Sequence, residues 1–401
     1  MDSNYIAPSG RRIYWRLLLI TLLSAGLLLA CGGGSSSPPA PEIALPAVTT
    51  PAEGLMQTTR LEVDQYMQGQ LVAQRIPGMS LVVVRDGQVI YAKGYGYASL
   101  ESARPVRPED RFNIGSISKT FAASAVMLLV EEGRMSLDDT LDKYIDNTPP
   151  HWNGITVRHL LGHTSGLMRD PDQAFQAAML ANQVIGEDAA LERYKAYPLL
   201  WTPGAQHGYS NIGYAIVGIL IGKVSGQHYF DFLRARVFSP LGMGSARQVA
   251  HQLPEAGFAK GYELGGGKRV PARLNEAQSV FFGMAAGGIQ LSALDMAKWD
   301  AVLYGETVLK RSTLDLMWTN HSLVQPANDI TPDIYYGLGW QLRIQNGVRW
   351  VYHSGGMPGH VSDLMRYPEH KITVIVLANL DGSANVRVVQ RAVARMFDPA
   401  L

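Results

Sequence analysis

Cysteine is nearly missing from this chain: among 401 residues there is one, Cys31. No internal disulfide can form, so the folded part must be held by its core. Excess charge is missing too, with 35 Lys and Arg against 34 Asp and Glu and a formal net charge of +1. That balance leaves no electrostatic footprint for nucleic acid, which is therefore not expected as a partner. A membrane-spanning run is lacking as well: the uncharged apolar stretch from Leu17 to Ala30 falls short of the roughly 20 residues a spanning helix needs. No G-x-S-x-G elbow occurs, which removes support for the α/β-hydrolase arrangement. His159 and His163 have the i, i+4 spacing of a zinc pair, but Leu160 stands where a zinc protease needs Glu. No metal and no cofactor is expected.

What is present is apolar and large. Hydrophobic residues make up 47% of the chain, enough to bury a sizeable core. Arg11, Arg12 and Arg16 precede the Leu17 to Ala30 stretch, the pattern of a signal peptide over residues 1–30. The stretch ends Leu28-Leu29-Ala30-Cys31, which resembles the lipobox of bacterial lipoproteins. That resemblance implies that Cys31 is diacylated and becomes the first mature residue, so the expected protein is exported, anchored by lipid to a bacterial membrane and facing the periplasm. Two acyl chains are enough for stable anchoring. Residues 31–55 are rich in Gly, Ser and Pro and lack a sustained apolar period, which predicts a flexible tether.

The folded part is expected over 56–401. Leu61, Val63, Tyr66, Met67 and Leu71 approximate helical spacing, with a stop at Pro77-Gly78. Ser80 to Arg85, the turn signal Asp86-Gly87, and Gln88 to Ala92 predict a hairpin. A buried helix follows from about Ser116 to Glu132, then mainly helices and long loops to about 280. Arg349–His353, Val361–Tyr367 and Ile372–Ala378 predict a three-strand meander turning at Pro368-Glu369-His370-Lys371, covered by a last helix from about Ala384 to Phe397. Strands at both ends around a helical middle argue for an α/β (α+β) fold: an antiparallel sheet flanked by helices, with a helical subdomain inserted over about 120–285. A cleft between the two parts is the expected ligand site.

Three motifs carry chemistry. Ser116-Ile117-Ser118-Lys119 places a hydroxyl and an amine three residues apart, on one face of a helix. A serine attacks a carbonyl only when something accepts its proton, and a lysine held out of water loses enough pKa to do so. Tyr209-Ser210-Asn211 and His353-Ser354-Gly355 are the other two. Lys119 is the only lysine with a serine three before it, Tyr209 opens the only Y-x-N, and His353 the only H-x-G. A serine at a helix start is commonly only a cap; the three motifs together argue for Ser116 as nucleophile.

In that order the motifs resemble the signature of the serine β-lactamases and penicillin-binding proteins. The detailed likeness is to the branch of class C β-lactamases, D-alanyl-D-alanine carboxypeptidases, D-aminopeptidases and related esterases. It extends to His163-Thr164-Ser165-Gly166-Leu167, Trp201-Thr202-Pro203-Gly204, Gly287-Gly288 and Tyr336-Gly337-Leu338-Gly339-Trp340. The resemblance implies a β-lactamase/transpeptidase-like fold and a serine hydrolase acting through an acyl-enzyme on an amide, ester or lactam carbonyl of a peptide or small molecule. Ser116 is then the nucleophile, Lys119 and Tyr209 share the proton transfer, and the sequence leaves open which is the base. Asn211 is expected to hold Lys119 and donate to the substrate's acyl amide. The backbone N–H groups of Ser116 and Gly356 form the oxyanion hole, glycine at 356 allowing close approach, and Ser354 and Gly355 line the substrate site.

One departure bears on substrate. Class C β-lactamases have K-T-G where this chain has His353-Ser354-Gly355, and a histidine only partly charged near neutral pH holds a carboxylate more weakly. A peptidase or esterase is favoured over a β-lactamase, with a non-catalytic penicillin-binding lipoprotein as the competing class.

Overall fold

The computed structural model describes residues 53–250, 256–327, 332–382 and 384–401. The signal peptide, Cys31 and residues 31–52 of the expected tether lie outside the described residues.

The chain enters with helix α1 (Glu53–Ala73), which starts three residues inside the segment read as tether, then runs through β1 (Gly78–Arg85), β2 (Gln88–Ser99), β3 (Arg104–Pro105) and β4 (Arg111–Asn113). A 3-10 turn at Gly115–Ile117 leads into α2 (Ser118–Glu131). The helical middle holds α3 (Val157–Leu161), α4 (Gln173–Leu180), α5 (Glu187–Lys195), α6 (Asn211–Ser225) and α7 (Tyr229–Leu233). Short strands β5 (Arg247–Gln248), β6 (Tyr262–Gly265) and β7 (Lys268–Pro271) precede α8 (Glu276–Phe282), β8 (Ile289–Ser292), α9 (Ala293–Val302) and α10 (Arg311–Met317). The C-terminal part is β9 (Ser322–Gln325), β10 (Ile334–Tyr336), β11 (Gln341–Gln345), β12 (Val348–Met357), β13 (His360–Tyr367), β14 (Ile372–Ala378) and α11 (Val386–Phe397).

Nine strands form one antiparallel sheet in the order β3-β2-β1-β14-β13-β12-β11-β10-β9. Its first and last strands in sequence are neighbours in the interior of the sheet, where β1 pairs with β14 from Met79↔Ala378 to Arg85↔Ile372. Central strands buried on both faces read as continuous apolar runs, and β1 (GMSLVVVR) and β14 (ITVIVLA) do so. Alternation sorts their side chains. Val82, Val84, Ile375 and Leu377 join the large core shared with α2, α6 and α9. Leu81, Val83, Val374 and Val376 join a second core under α1 and α11. Helix α11 suits this place because Val386, Val389, Val393 and Phe397 fall on one face.

The β1–β2 hairpin turns at Asp86-Gly87, both with positive φ (49° and 74°), as a two-residue primed turn requires. The sequence-visible meander is there as β12 to β14. What the sequence does not announce is the outer part: β9, β10 and β11 extend the sheet beyond β12, and a second sheet of β4, β8 and β5 braces the 3-10 turn. Two boundaries also differ. The expected helix from Ser116 begins at Ser118, leaving Ser116 in the preceding 3-10 turn. The last helix begins at Val386 and not Ala384, because the Asn385 side chain caps it by accepting from the Val388 N–H at 3.3 Å. No described helix is long and apolar enough to cross a membrane.

Candidate active site

Three elements converge on Ser116. The 3-10 turn presents its partly exposed hydroxyl, α2 supplies Lys119 one turn on, and β12 runs alongside with His353 to Gly356. The close approach of turn and strand depends on two glycines. A Cβ on Gly355 would sit 2.0 Å from the Ile114 carbonyl, and one on Gly115, at φ +50°, would lie 2.7 Å from the Gly356 nitrogen. Gly356 itself is uncrowded, with nothing within 4 Å of a Cβ there. The glycine that the sequence reading assigned to close approach at 356 is thus required at 115 and 355 instead.

Lys119 is fully buried. Its Nζ lies 3.1 Å from Ser116 Oγ, 2.8 Å from Asn211 Oδ1 and 2.6 Å from the Ala286 carbonyl oxygen. Burial drives its pKa well below the usual lysine value, with Arg169 pushing the same way and Asp170 opposing. The Tyr209 hydroxyl is hydrogen-bonded to Ser116, and its ring centroid is 4.9 Å from Lys119 Nζ. Desolvation raises the Tyr209 pKa, so the phenol keeps its proton at neutral pH.

The segment before α6 is pinned by the loop after α3. The Ser210 N–H donates to His163 Nδ1 at 3.1 Å, Ser210 Oγ donates to the Met168 carbonyl at 2.6 Å, and the Asn211 N–H donates to the Arg169 carbonyl at 2.7 Å. His163 is buried, and its ring packs 4.2 Å from that of Tyr209. His159 faces elsewhere, its Nδ1 accepting from the Thr156 N–H in a capping box at the start of α3. Among the described residues, no three His, Cys, Asp or Glu are grouped to hold a metal ion.

Asn211 differs from expectation in part. Its Oδ1 takes Lys119, but Nδ2 donates to Asp170 Oδ1 at 2.6 Å, leaving one N–H for any substrate amide. His353 differs more. Its Nδ1 lies 2.7 Å from the Ser354 carbonyl, which can only accept, so that nitrogen carries the proton. Nε2 is therefore bare and accepts from the Tyr336 hydroxyl at 2.8 Å. Burial pulls the ring's pKa down to about 3, with the nearby Lys119 adding to the effect. The histidine expected to be partly charged is held toward its neutral form by burial, with both nitrogens engaged.

The cation at this end of the cleft is Arg387 of α11, whose guanidinium donates to Ser354 Oγ at 2.8 Å and approaches the buried Asp363 at 3.3 Å. Burial raises the Asp363 pKa to about 6 against the pull of Arg387. The cleft, about 610 Å³, is lined by Ser116, Tyr209, Asn211, His353, Asp363 and Arg387 among others. Asp170, Arg387, Tyr336 and the Ala286 carbonyl were missed by the motif reading. Tyr336 was visible in its Y-G-L-G-W segment without a role, whereas nothing local marks Arg387 on an amphipathic helix.

A nine-stranded sheet, a helical middle and a Ser-Lys-Tyr cluster at their junction define a β-lactamase/transpeptidase-like fold. The chain belongs to the Beta-lactamase family, whose model matches residues 63–395, and it is a hydrolase of that family. It is 32% identical to a penicillin-binding protein of Bacillus subtilis over 75% of this chain and 67% of the relative, so it spans about two thirds of that protein's length. The octameric penicillin-binding protein homologue from Pyrococcus abyssi superposes with a TM-score of 0.74 at 28% identity, covering 84% of this chain and 77% of that one. A D-stereospecific amidohydrolase from Streptomyces sp. gives 0.71 at 26% identity, covering 84% and 98%.

Proposed function

We propose that this protein is an exported, lipid-anchored serine hydrolase that works through an acyl-enzyme on Ser116. The observation that carries the reading is the valence of Lys119. In the neutral form that burial favours, the amine has two N–H groups and one lone pair. Asn211 Oδ1 and the Ala286 carbonyl are both acceptors and take the two N–H groups, so the lone pair is left for the Ser116 hydroxyl. This makes Lys119 the base and the protonated Tyr209 the donor that hands a proton toward the leaving group. Oγ then bonds to the substrate carbonyl as its proton passes to Lys119, and the oxyanion rests on the Ser116 and Gly356 N–H groups. The leaving group departs with the Tyr209 proton, the Lys119 proton restores the phenol, and water adds to the acyl carbon, releasing the acid and returning a proton to Oγ.

D-alanyl peptides are the first-ranked substrates, other D-amino-acid amides the second and β-lactams the last, with short-chain esters as a separate class. The neutral His353 supplies no charge where class C β-lactamases carry lysine. On this reading Arg387, bonded to Ser354 in the cleft lining, supplies the cation for a substrate carboxylate. The likeness to a D-stereospecific amidohydrolase supports D-configured amides as a substrate class. The test is parallel turnover of the detergent-solubilised full chain and its Ser116→Ala variant on a D-alanyl-D-alanine peptide, a p-nitrophenyl ester and a chromogenic cephalosporin. Ser116-dependent release from the peptide is expected, and no Ser116-dependent release from any of the three would favour a binding protein.

Two further outcomes are expected. His353→Lys raises the ratio of β-lactam acylation to ester hydrolysis, because a cation then faces the lactam carboxylate; an unchanged ratio removes this residue from the specificity argument. Cys31→Ser moves the protein from the membrane to the soluble fraction on cell fractionation. Continued membrane association would refute the lipid anchor.

A further inference from the structure

Asparagine amides are usually assigned by their neighbours, and here both neighbours dictate one orientation. An ionised carboxylate only accepts, so the group facing Asp170 Oδ1 at 2.6 Å must be the Asn211 NH2. The Asn211 oxygen is then turned to Lys119 Nζ at 2.8 Å. Were the amide reversed, its NH2 would face the amine and draw the lone pair away from Ser116. The Arg169 carbonyl, which accepts from the backbone N–H of Asn211 at 2.7 Å and of Ile212 at 3.4 Å, fixes the loop and keeps Asp170 in reach.

We propose that Asp170 is a positioning residue for the proton transfer: it locks the Asn211 amide and so directs the Lys119 lone pair onto Ser116. The proposal rests on the acyl-transfer reading and extends it by one residue outside the three motifs. It also has an electrostatic side. The groups acting on Lys119 from the surrounding elements are Asp170 and Arg169 of the loop after α3, the buried His163, His353 of β12, and Tyr209 and Tyr214 beside it. Burial holds both histidines neutral and the tyrosines protonated. Asp170 is thus the acid among these groups, and its charge favours the ammonium. Its side chain is 43% exposed and 3.2 Å from Arg169, so solvent and that guanidinium weaken the effect without reversing it.

The sign follows. Removing the charge lowers the Lys119 pKa, so the free-base form persists to lower pH. The probe is an alkyl fluorophosphonate, which needs no knowledge of the natural substrate: Oγ bonds to phosphorus, fluoride leaves, and the hydroxyl proton passes to Lys119. The second-order rate of Ser116 labelling, followed by intact mass on the full chain, gives a pH profile. Asp170→Asn retains an acceptor for the Asn211 NH2, so its plateau should stay within about threefold of the parent while the acid limb moves to lower pH. Asp170→Ala removes the acceptor as well and should lower the plateau by roughly ten- to a hundredfold. A role in folding alone would change the yield of labelled protein without moving the acid limb. An unmoved limb in Asp170→Asn, or an unchanged plateau in Asp170→Ala, would overturn the proposal while leaving the acyl-transfer reading intact. A parent protein that is not labelled at any pH would overturn both.

Discussion

Replacing Ser116 with alanine is expected to lower turnover by roughly four to six orders of magnitude and to leave the fold untouched. The size follows from its position at the head of the relay. With Oγ gone, the Lys119 lone pair and the Tyr209 hydroxyl have no atom to activate, and the oxyanion donors face a substrate that nothing attacks. Stability is spared for a separate reason. Ser116 is partly exposed, lies in a 3-10 turn and caps no helix, since α2 begins at Ser118 with Ile117 as its N-cap. Lys119 keeps two acceptors, so no buried amine is stranded. Thermal melting should therefore shift by no more than about 0.5 kcal/mol in stability. Turnover of any of the three substrates at near-parental rate would remove Ser116 from the chemistry, and a large loss of melting temperature would show that the turn needs the hydroxyl.

The sequence made the proposed nucleophile legible because the S-x-x-K, Y-x-N and H-x-G motifs are short, local and unique in the chain. The central strands β1 and β14 were legible for a comparable reason: they are so apolar, and so clearly bounded by turns, that period and length agree. The outer strands were not. Strands β9 to β11 are short, carry polar residues such as Gln325, Gln341 and Arg343, and are only partly buried, so they become strands by pairing outward from β12. Charge states were beyond the sequence for a third reason. His353 looks titratable in a motif, yet its neutrality comes from burial against Tyr336, 17 residues away. Asp170 and Arg387 act through partners 41 and 33 residues away, and no periodicity encodes such pairs. Motifs identified which groups meet, and packing decided how each one is protonated.

The second large effect concerns a residue outside every motif. Gly115→Ala is expected to cut kcat by roughly a hundred- to a thousandfold, the usual consequence of losing one oxyanion donor. Two constraints act together at this position. An L-residue at φ +50° costs about 1–2 kcal/mol. The added methyl also arrives 2.7 Å from the Gly356 nitrogen, 2.9 Å from its oxygen and 3.1 Å from the Gly355 carbonyl carbon, all backbone atoms with no rotamer to change. Relief must come from separating the 3-10 turn and β12, and these carry the Ser116 and Gly356 N–H groups. The proposed oxyanion site is therefore widened directly, while Lys119, held by Asn211 and Ala286, stays in place. Gly356→Ala is the internal control, because a methyl there meets nothing within 4 Å, and it should retain turnover within about tenfold. Steady-state kinetics on both variants, with labelling of Ser116 as a check on the nucleophile, separates the two readings. If Gly356→Ala loses as much as Gly115→Ala, the site depends on glycine at the donor itself. If neither loses activity, the close contact between turn and strand has no part in stabilising the transition state.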